Sequence, residues 1–203
     1  MTVNKEKLAP GIYSYSGVFP ESLEYISKIE ELVNLKKIAW VPSFNKKHTS
    51  EEDAKKFFRQ VETIGLPLEF QVPDNVDKKS ESNSVVFEFS KLLKDSFDIY
   101  LKEYVNEYGI SLSEQEPFGL LKYGNGSKFG KHIDNGMMFN RTVSLVYYAN
   151  DDYVGGEIYF DQFDLKIVPQ KNQLLLFPSN YIYSHSISEV SSGIRYAIVS
   201  FYK

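Results

Sequence analysis

Apolar residues follow helical spacing in two segments of the first half of the chain. Between Pro20 and Leu35, and again between Val85 and Tyr108, large apolar residues recur every three or four positions. Residues at this spacing lie on one face of a helix, and an apolar face packs against a core. The pattern therefore predicts helices at 20–35 and 85–108.

The residues between these two helices give weaker signals. Residues 37–42, which include the single tryptophan Trp40, form a short apolar piece and predict an early strand. Residues 49–53 offer a helix-capping box, and residues 54–64 after it fit a helix or a strand equally well. Residues 73–84 are polar and charged, so we expect a loop there. Whether this part of the chain covers a substrate stays open.

After Gly109 the pattern changes to short segments rich in β-branched and aromatic residues, separated by Gly, Asn, Asp, Pro or Ser. Short segments with turn residues about every 8–12 positions are typical of strands in a sandwich or barrel. Helices in the first half and strands in the second predict an α+β fold with a double-stranded β-helix, or jelly-roll, core. The predicted strands are 117–123, 130–134, 141–148, 157–160, 165–168, 173–177, 182–187 and 195–202.

The length of 203 residues suits one domain with a full core and is short for two. We therefore expect a single domain over residues 1–203, in which residues 1–110 give helical support and residues 115–203 form the jelly-roll core. The aromatic content of 15% suits the pleated surfaces of a β-rich core.

The composition limits the chemistry that the chain can carry. It contains no cysteine, which excludes disulfides, thiolate metal ligands and a thiol nucleophile and fits a reducing cytoplasm. The sequence shows neither a signal peptide nor an apolar run near the ~18 residues of a membrane helix, so no membrane contact is expected. The formal charge of −4 gives no general attraction for nucleic acid. The oligomeric state stays open.

Any metal must be bound by histidine and carboxylate. His132 and Asp134 are two positions apart, so on a strand both side chains project from one face while Ile133 points away. His185 lies on a later predicted strand that can reach the same point. Two histidines and one carboxylate on one side of a metal form the ligand set of non-haem Fe(II) oxygenases. The third histidine, His48, lies in a lysine-flanked loop and is expected to be solvated.

A charged residue on the last predicted strand adds a second candidate site. Arg195 shares a strand face with three apolar residues, Ala197, Val199 and Phe201. If that face is interior, the guanidinium needs an anionic partner, and the sequence offers no neighbouring carboxylate. A dicarboxylate ligand would bind it in a bidentate manner. On the strand 141–148, small hydroxyl residues and Tyr148 share a face that suits a pocket wall.

These motifs resemble the 2-oxoglutarate/Fe(II)-dependent dioxygenase superfamily. The His132-Ile133-Asp134 triplet, the distal His185 and an arginine ten residues later match its pattern. The surroundings are similar to the prolyl 4-hydroxylase branch, in detail over about residues 117–203 and in outline before that. The segments that carry this similarity are 121–126, 141–150, 155–160 and 195–198.

The resemblance implies a role for each matched residue. His132, Asp134 and His185 would be the iron ligands. Arg195 would pair with the far carboxylate of 2-oxoglutarate, Tyr148 would hydrogen-bond it, and Tyr123 would line the pocket. The implied cofactors are Fe(II), 2-oxoglutarate and O2, with ascorbate as an optional addition. One departure is Phe129, because the family often has tyrosine three residues before the first ligand.

The resemblance implies hydroxylation of a prolyl or other amino-acid side chain in a peptide or protein. Two alternatives stay open: an oxygenase of the same superfamily that acts on a small molecule or nucleobase, and a jelly-roll binding module without catalysis. An intact ligand set together with Arg195 argues against the binding module, and the acidic charge disfavours nucleic acid. The segment near 41–64 matches the family poorly, so the substrate is not identified.

Overall fold

The computed structural model describes residues 3–43, 61–136 and 139–203. Within these residues the helices are α1 (Ser22–Asn34) and α2 (Glu81–Tyr108). The strands are β1 (Asn4–Ala9), β2 (Ile12–Ser16), β3 (Val41–Ser43), β4 (Val61–Leu66), β5 (Phe118–Tyr123), β6 (Phe129–His132), β7 (Val143–Tyr148), β8 (Val154–Gly155), β9 (Ile158–Phe160), β10 (Leu165–Ile167), β11 (Gln173–Pro178), β12 (His185–Ile187), β13 (Val190–Ser192) and β14 (Arg195–Tyr202). Short 3-10 turns lie at Glu69–Gln71, Asp161–Phe163 and Tyr181–Tyr183.

The strands in the described part of the chain form two facing sheets and one short pair. The main sheet has eight strands in the order β1-β2-β11-β7-β14-β5-β4-β3, and the minor sheet has four in the order β10-β9-β12-β6. Strands β8 and β13 pair separately. Every pairing is antiparallel. The predicted combination of α+β elements is therefore present.

The central strands of the main sheet are buried on both faces. Strand β7 shows the consequence, because all six of its residues are buried although they alternate in direction. Leu145 and Tyr147 pack with the helices in one core, whereas Val146 and Tyr148 pack in a second core with residues of the minor sheet. Helices thus cover one face, and the space between the two sheets lies on the other.

Both predicted helices are confirmed, with a difference at the start of α2. Helix α2 begins at Glu81, four residues before the predicted position, and Ser80 caps it by accepting a hydrogen bond from the Asn83 amide at 3.4 Å. The first turn, residues 81–84, is polar, so the apolar period could not indicate it. Neither helix in the described residues combines the length and apolar character that a membrane crossing would require.

The first 110 residues supply strands as well as helical support. Strands β1 and β2 were not predicted, and β2 pairs with β11 inside the main sheet. Strand β2 alternates tyrosine and serine, and both kinds of residue are buried because the sheet is covered on both faces. Ser14 accepts a hydrogen bond from Gln173 at 2.8 Å, which compensates its burial. The alternation of aromatic and hydroxyl residues in β2 is therefore not an alternation of buried and exposed positions, on which strand prediction depends.

The middle of the chain differs from its prediction in detail. The early strand is β3, which begins one residue after Trp40 rather than at residue 37. The undecided segment 54–64 includes the start of strand β4, and residues 81–84 of the predicted loop belong to α2. The capping box at 49–53 and His48 lie outside the described residues.

The strand predictions of the second half are confirmed, and most of the strands are shorter than predicted. The segment 182–187 begins as a 3-10 turn, and strand β12 starts only at His185. The segment 130–134 is β6, which ends at His132. Strands β8 and β13 were missed because they have only two and three residues.

The packing of α2 on the main sheet yields a stability prediction. Phe97 is fully buried, and its ring centroid lies 6.0 Å from that of Phe118 and 5.1 Å from that of Tyr147. Phe97→Ala should lower the free energy of unfolding by about 3–5 kcal/mol, because it removes a buried ring and leaves a cavity. Urea denaturation measures this change. Ile99→Ala, on the exposed side of the same helix, is the matched control, and equal losses in both variants would contradict the packing.

Candidate metal centre and ligand pocket

Two neighbouring strands of the minor sheet bring the predicted metal ligands together. His132 is the last residue of β6, His185 is the first of β12, and the two are partners in the antiparallel register. Asp134 lies two residues beyond the end of β6, while Ile133 is 43% exposed. Ligand atoms of the three residues all lie within 4.8 Å of one another. The Asp134 carboxylate is 3.6 Å from His132 Nε2 and 3.9 Å from His185 Nε2.

Backbone hydrogen bonds fix the tautomer of both imidazoles. His132 Nδ1 lies 2.9 Å from the Gly130 carbonyl oxygen, and His185 Nδ1 lies 3.0 Å from the Tyr183 carbonyl oxygen. A carbonyl can only accept, so each Nδ1 carries the proton and donates it. An uncharged imidazole with its proton on Nδ1 has its lone pair on Nε2, and each Nε2 here faces the Asp134 carboxylate, as a metal ligand must.

Aromatic rings hold the two imidazoles in place. The Phe129 ring stacks on His132 with 3.6 Å between ring centroids and 15° between ring planes. Phe160 and Phe177 pack on His185 at centroid distances of 5.3 and 5.1 Å. Phe129 occupies the position where the family often has tyrosine, and here it contributes a flat apolar face beside a ligand.

The charges of the three residues suit a cation. Burial by itself raises the pKa of Asp134, but His185, His132 and a hydrogen bond from Ser144 bring it below its usual range. Burial and the neighbouring His132 lower the pKa of His185 to about 4, against the opposing effect of Asp134. At neutral pH the cluster thus holds one carboxylate and an uncharged His185 imidazole. Two imidazoles and one carboxylate on one side of a site is the donor set of a facial triad for Fe(II).

A pair of buried hydroxyls supports Asp134. Ser144 on β7 donates a hydrogen bond to Asp134 Oδ2 at 2.6 Å, and its oxygen lies 2.8 Å from Ser179 Oγ. Because the Ser144 proton is used for the carboxylate, Ser179 is the donor in the second bond. The hydroxyl on Oδ2 fixes the plane of the carboxylate and leaves Oδ1 facing His132. Sequence reasoning placed Ser144 in a pocket wall and missed Ser179.

Arg141 ties the backbone of Asp134 to the main sheet. Its guanidinium donates to the Asp134 carbonyl oxygen at 3.3 Å and to both carboxylate oxygens of Glu116. It also lies 3.5 Å from the ring centroid of Phe201 on β14. The side chain therefore fixes the loop that carries Asp134. No local pattern indicates this role, because Glu116 is 25 residues away in the chain.

Arg195 is a buried cation with no carboxylate partner among the described residues. It is 1% exposed, and its Nε and Nη1 atoms make no hydrogen bond with any described residue. Its guanidinium carbon lies 4.5 Å from the Tyr123 ring centroid and 5.0 Å from that of Tyr148. The Tyr148 hydroxyl is also buried without a partner among the described residues. The three residues that were predicted for the second site therefore lie together, between the two sheets.

These unpaired groups fit a carboxylate ligand. Leaving a charged donor buried and unpaired costs free energy, and a carboxylate accepts two parallel bonds from one guanidinium. Burial raises the pKa of Tyr148, although Arg195 acts in the opposite direction, so the phenol stays protonated and can donate. A carboxylate between Arg195 and Tyr148 would satisfy donors that the chain leaves free.

A family model matches the sequence of the second half of the chain. Residues 118–203 match the model of the 2OG-Fe(II) oxygenase superfamily. A PKHD-type hydroxylase from Prochlorococcus marinus (strain MIT 9215) is 34% identical over 80 residues, which is 36% of this chain and 35% of the relative. The match thus spans about a third of the length of this curated relative.

Solved structures are similar over nearly the whole chain. A prolyl hydroxylase from Trichoplax adhaerens, in complex with a peptide fragment of the hypoxia inducible factor oxygen degradation domain, has a TM-score of 0.69 and 19% identity and covers 95% of this chain and 83% of its own. A prolyl-4-hydroxylase from Pseudomonas putida has a TM-score of 0.65 and 12% identity, with coverages of 95% and 92%. A viral collagen prolyl hydroxylase from Paramecium bursaria Chlorella virus-1, in a 2OG complex, has a TM-score of 0.60 and 17% identity, with 95% of both chains covered. The likeness confirms the predicted jelly-roll fold.

The hydrogen bond from Ser144 to Asp134 generates a prediction for metal affinity. Ser144→Ala should raise the dissociation constant for Fe(II) by about tenfold, because groups that orient a ligand contribute on this scale. Anaerobic calorimetry measures the affinity. Ser200→Ala is the control, since Ser200 is equally buried and donates to the Glu116 carbonyl oxygen at 2.9 Å, away from the cluster. Equal affinities in both variants would show that Ser144 does not orient Asp134.

Proposed function

We propose that this chain, in which residues 118–203 match the model of the 2OG-Fe(II) oxygenase superfamily, is an Fe(II)- and 2-oxoglutarate-dependent dioxygenase. Its proposed substrate is a prolyl or other amino-acid side chain in a peptide or protein. The observation that carries the proposal is the pairing of two features: a buried two-histidine, one-carboxylate cluster, and a buried arginine with unpaired donors on the same side of the main sheet.

His132, Asp134 and His185 are the residues that would hold the iron. The Nδ1 bonds to Gly130 and Tyr183 keep both Nε2 lone pairs directed at the ion. When bound, Fe(II) with 2-oxoglutarate supplies oxygen activation, which no side chain provides. The contribution of the protein is to position the ligands and to keep water away from them.

Arg195 and Tyr148 would bind the far carboxylate of 2-oxoglutarate. Their free donors lie in the core between the sheets, where an ionic hydrogen bond is stronger than in water. Tyr123, opposite Arg195 in the register of β5 and β14, would form the wall of this pocket. An anchored far carboxylate leaves the keto acid end free to reach the metal.

Support for a peptide substrate comes from the relatives and from the surface beside Asp134. The Trichoplax adhaerens protein is a prolyl hydroxylase with a bound peptide, and the viral protein is a collagen prolyl hydroxylase. Ile133 and Phe139 are 43% and 50% exposed beside the candidate ligands and offer apolar contact area. The charge of −4 disfavours a nucleic acid substrate. A cytoplasmic location, and ascorbate as an optional addition, belong to the same proposal.

Succinate formation tests the activity. Purified protein with Fe(II), O2 and 2-oxoglutarate should form succinate slowly, and proline-containing peptides should accelerate it and gain one oxygen atom by mass spectrometry. Free amino acids and nucleobases serve as competing substrates. Acceleration by a small molecule alone would support the alternative oxygenase. Absence of both succinate and 2-oxoglutarate binding would support the binding module.

Removal of a ligand should abolish metal binding. Asp134→Ala deprives the site of its only carboxylate, and His132→Ala removes one of two imidazoles, so each variant should lose Fe(II) binding in calorimetry. The fold should persist, which circular dichroism and a cooperative melting transition would show. Asp164→Ala, an exposed carboxylate beyond β9, serves as the control. Wild-type affinity in both ligand variants would disprove the assignment.

Arg195→Lys keeps the positive charge and loses the planar pair of donors. Under the proposal, the dissociation constant of 2-oxoglutarate should rise by about tenfold to a hundredfold, as expected for loss of a hydrogen bond to a charged group. Fe(II) affinity without 2-oxoglutarate should not change. If Arg195 were instead only structural, the melting temperature of the metal-free protein would fall and 2-oxoglutarate affinity would stay at the wild-type value.

A further inference from the structure

A third phenol lies beside Arg195 and has no assigned role. Tyr153 is in the loop between β7 and β8, and its hydroxyl is buried without a hydrogen-bond partner among the described residues. Its ring packs against the core between the two sheets, the core that also contains Tyr123 and Tyr148. Sequence reasoning did not single out this residue.

Arg195 influences Tyr153 as it influences Tyr148. Burial raises the pKa of Tyr153, and the Arg195 guanidinium acts in the opposite direction because it is close to the hydroxyl. The phenol is therefore protonated at neutral pH and can donate a hydrogen bond. Neither phenol hydroxyl has a hydrogen-bond partner among the described residues, and a guanidinium can only donate to a phenol oxygen, so the O–H donor of each phenol stays free.

Two glycines give Tyr153 and Arg195 the room to approach. A Cβ atom at Gly156 would lie 2.8 Å from Arg195 Cδ and 3.2 Å from Tyr153 Cε2. A Cβ atom at Gly193 would lie 2.9 Å from Tyr153 Cβ. Both glycines have positive φ, at +68° and +81°, so any other residue would be strained there as well. The close packing of the Tyr153 and Arg195 side chains against the backbone thus requires glycine at both positions.

A free buried phenol is not by itself a ligand site. Tyr202 also has a buried hydroxyl without a partner among the described residues, and it packs in the helix-covered core. Tyr153 differs because its free donor converges with those of Arg195 and Tyr148. A phenylalanine would fill the same space without burying an unpaired hydroxyl, so the hydroxyl points to a partner that the described residues do not supply.

The number of free hydrogen-bond donors equals the number of acceptor sites on one carboxylate. An ionised carboxylate has two oxygens with about four acceptor sites and accepts a guanidinium in a bidentate manner. Arg195 offers donors on Nε and Nη1, and the two phenols add one each. We propose that Tyr153 is a further binding residue for the far carboxylate of the dicarboxylate cosubstrate, beside Arg195 and Tyr148. This inference rests on the proposed function, which assigns 2-oxoglutarate to the pocket.

The proposal predicts selectivity for a dicarboxylate. 2-Oxoglutarate and 2-oxopentanoate share the keto acid and the chain length, and only the former has a far carboxylate. The Tyr153 hydroxyl should stabilise the first compound and not the second. It should also destabilise the ligand-free protein slightly, since it is buried without a partner there.

The experiment compares Tyr153→Phe with Tyr202→Phe and the wild type. Each full-length protein is loaded with Mn(II), which does not turn over, and titrated with 2-oxoglutarate and with 2-oxopentanoate. Tyr153→Phe should weaken 2-oxoglutarate binding by about tenfold and leave 2-oxopentanoate binding unchanged. Tyr202→Phe should alter neither. The melting temperature of metal-free Tyr153→Phe should equal or exceed that of the wild type.

Any other result contradicts either the role of Tyr153 or the proposed function. Wild-type affinity for 2-oxoglutarate in Tyr153→Phe overturns the role of Tyr153, and so does equal weakening of both acids. A lower melting temperature without a change in affinity identifies Tyr153 as purely structural. If the wild type does not prefer 2-oxoglutarate over 2-oxopentanoate, the pocket assignment fails, and the proposed function fails with it.

Discussion

Strand β7 is buried along its whole length because helices cover one face of the main sheet and the minor sheet covers the other. Polar groups on the inner face of the main sheet therefore lie where water cannot satisfy them, and each needs a partner from the protein or from a ligand. Ser144 and Arg195 are both on this face and meet the constraint differently. Ser144 is fully bonded within the protein, whereas Arg195 keeps free donors.

This difference divides the site into two parts. Around Asp134, hydroxyls and Arg141 supply hydrogen bonds that hold this candidate metal ligand in position. Around Arg195, the hydroxyls of Tyr148 and Tyr153 have no acceptor among the described residues. A preformed cluster of candidate metal ligands and a pocket with free donors suit a ligand that contacts both, such as a 2-oxo dicarboxylate. Solved prolyl hydroxylases with below 20% identity share the fold that supports this arrangement.

The fold was predictable where one face of an element is exposed to water. Helix α1 and the body of α2 are amphipathic, and their apolar period was sufficient to place them. Strand β2 was not predictable, since it is buried on both faces and contains serines whose burial depends on a partner such as Gln173, far away in the chain. The polar first turn of α2 was missed because its stability comes from the Ser80 cap and not from packing.

The sequence by itself determined the types of candidate ligand, because the absence of cysteine restricts a metal to histidine and carboxylate and the chain has only three histidines. It also predicted that Arg195, if its strand face is interior, needs an anionic partner. Only the tertiary structure decided which groups surround them. The contacts of Ser179, Arg141 and Tyr153 join residues from separate strands and loops, and no local pattern encodes such contacts. Their positions follow from sheet register and from the close approach that Gly156 allows, which are properties of the folded chain.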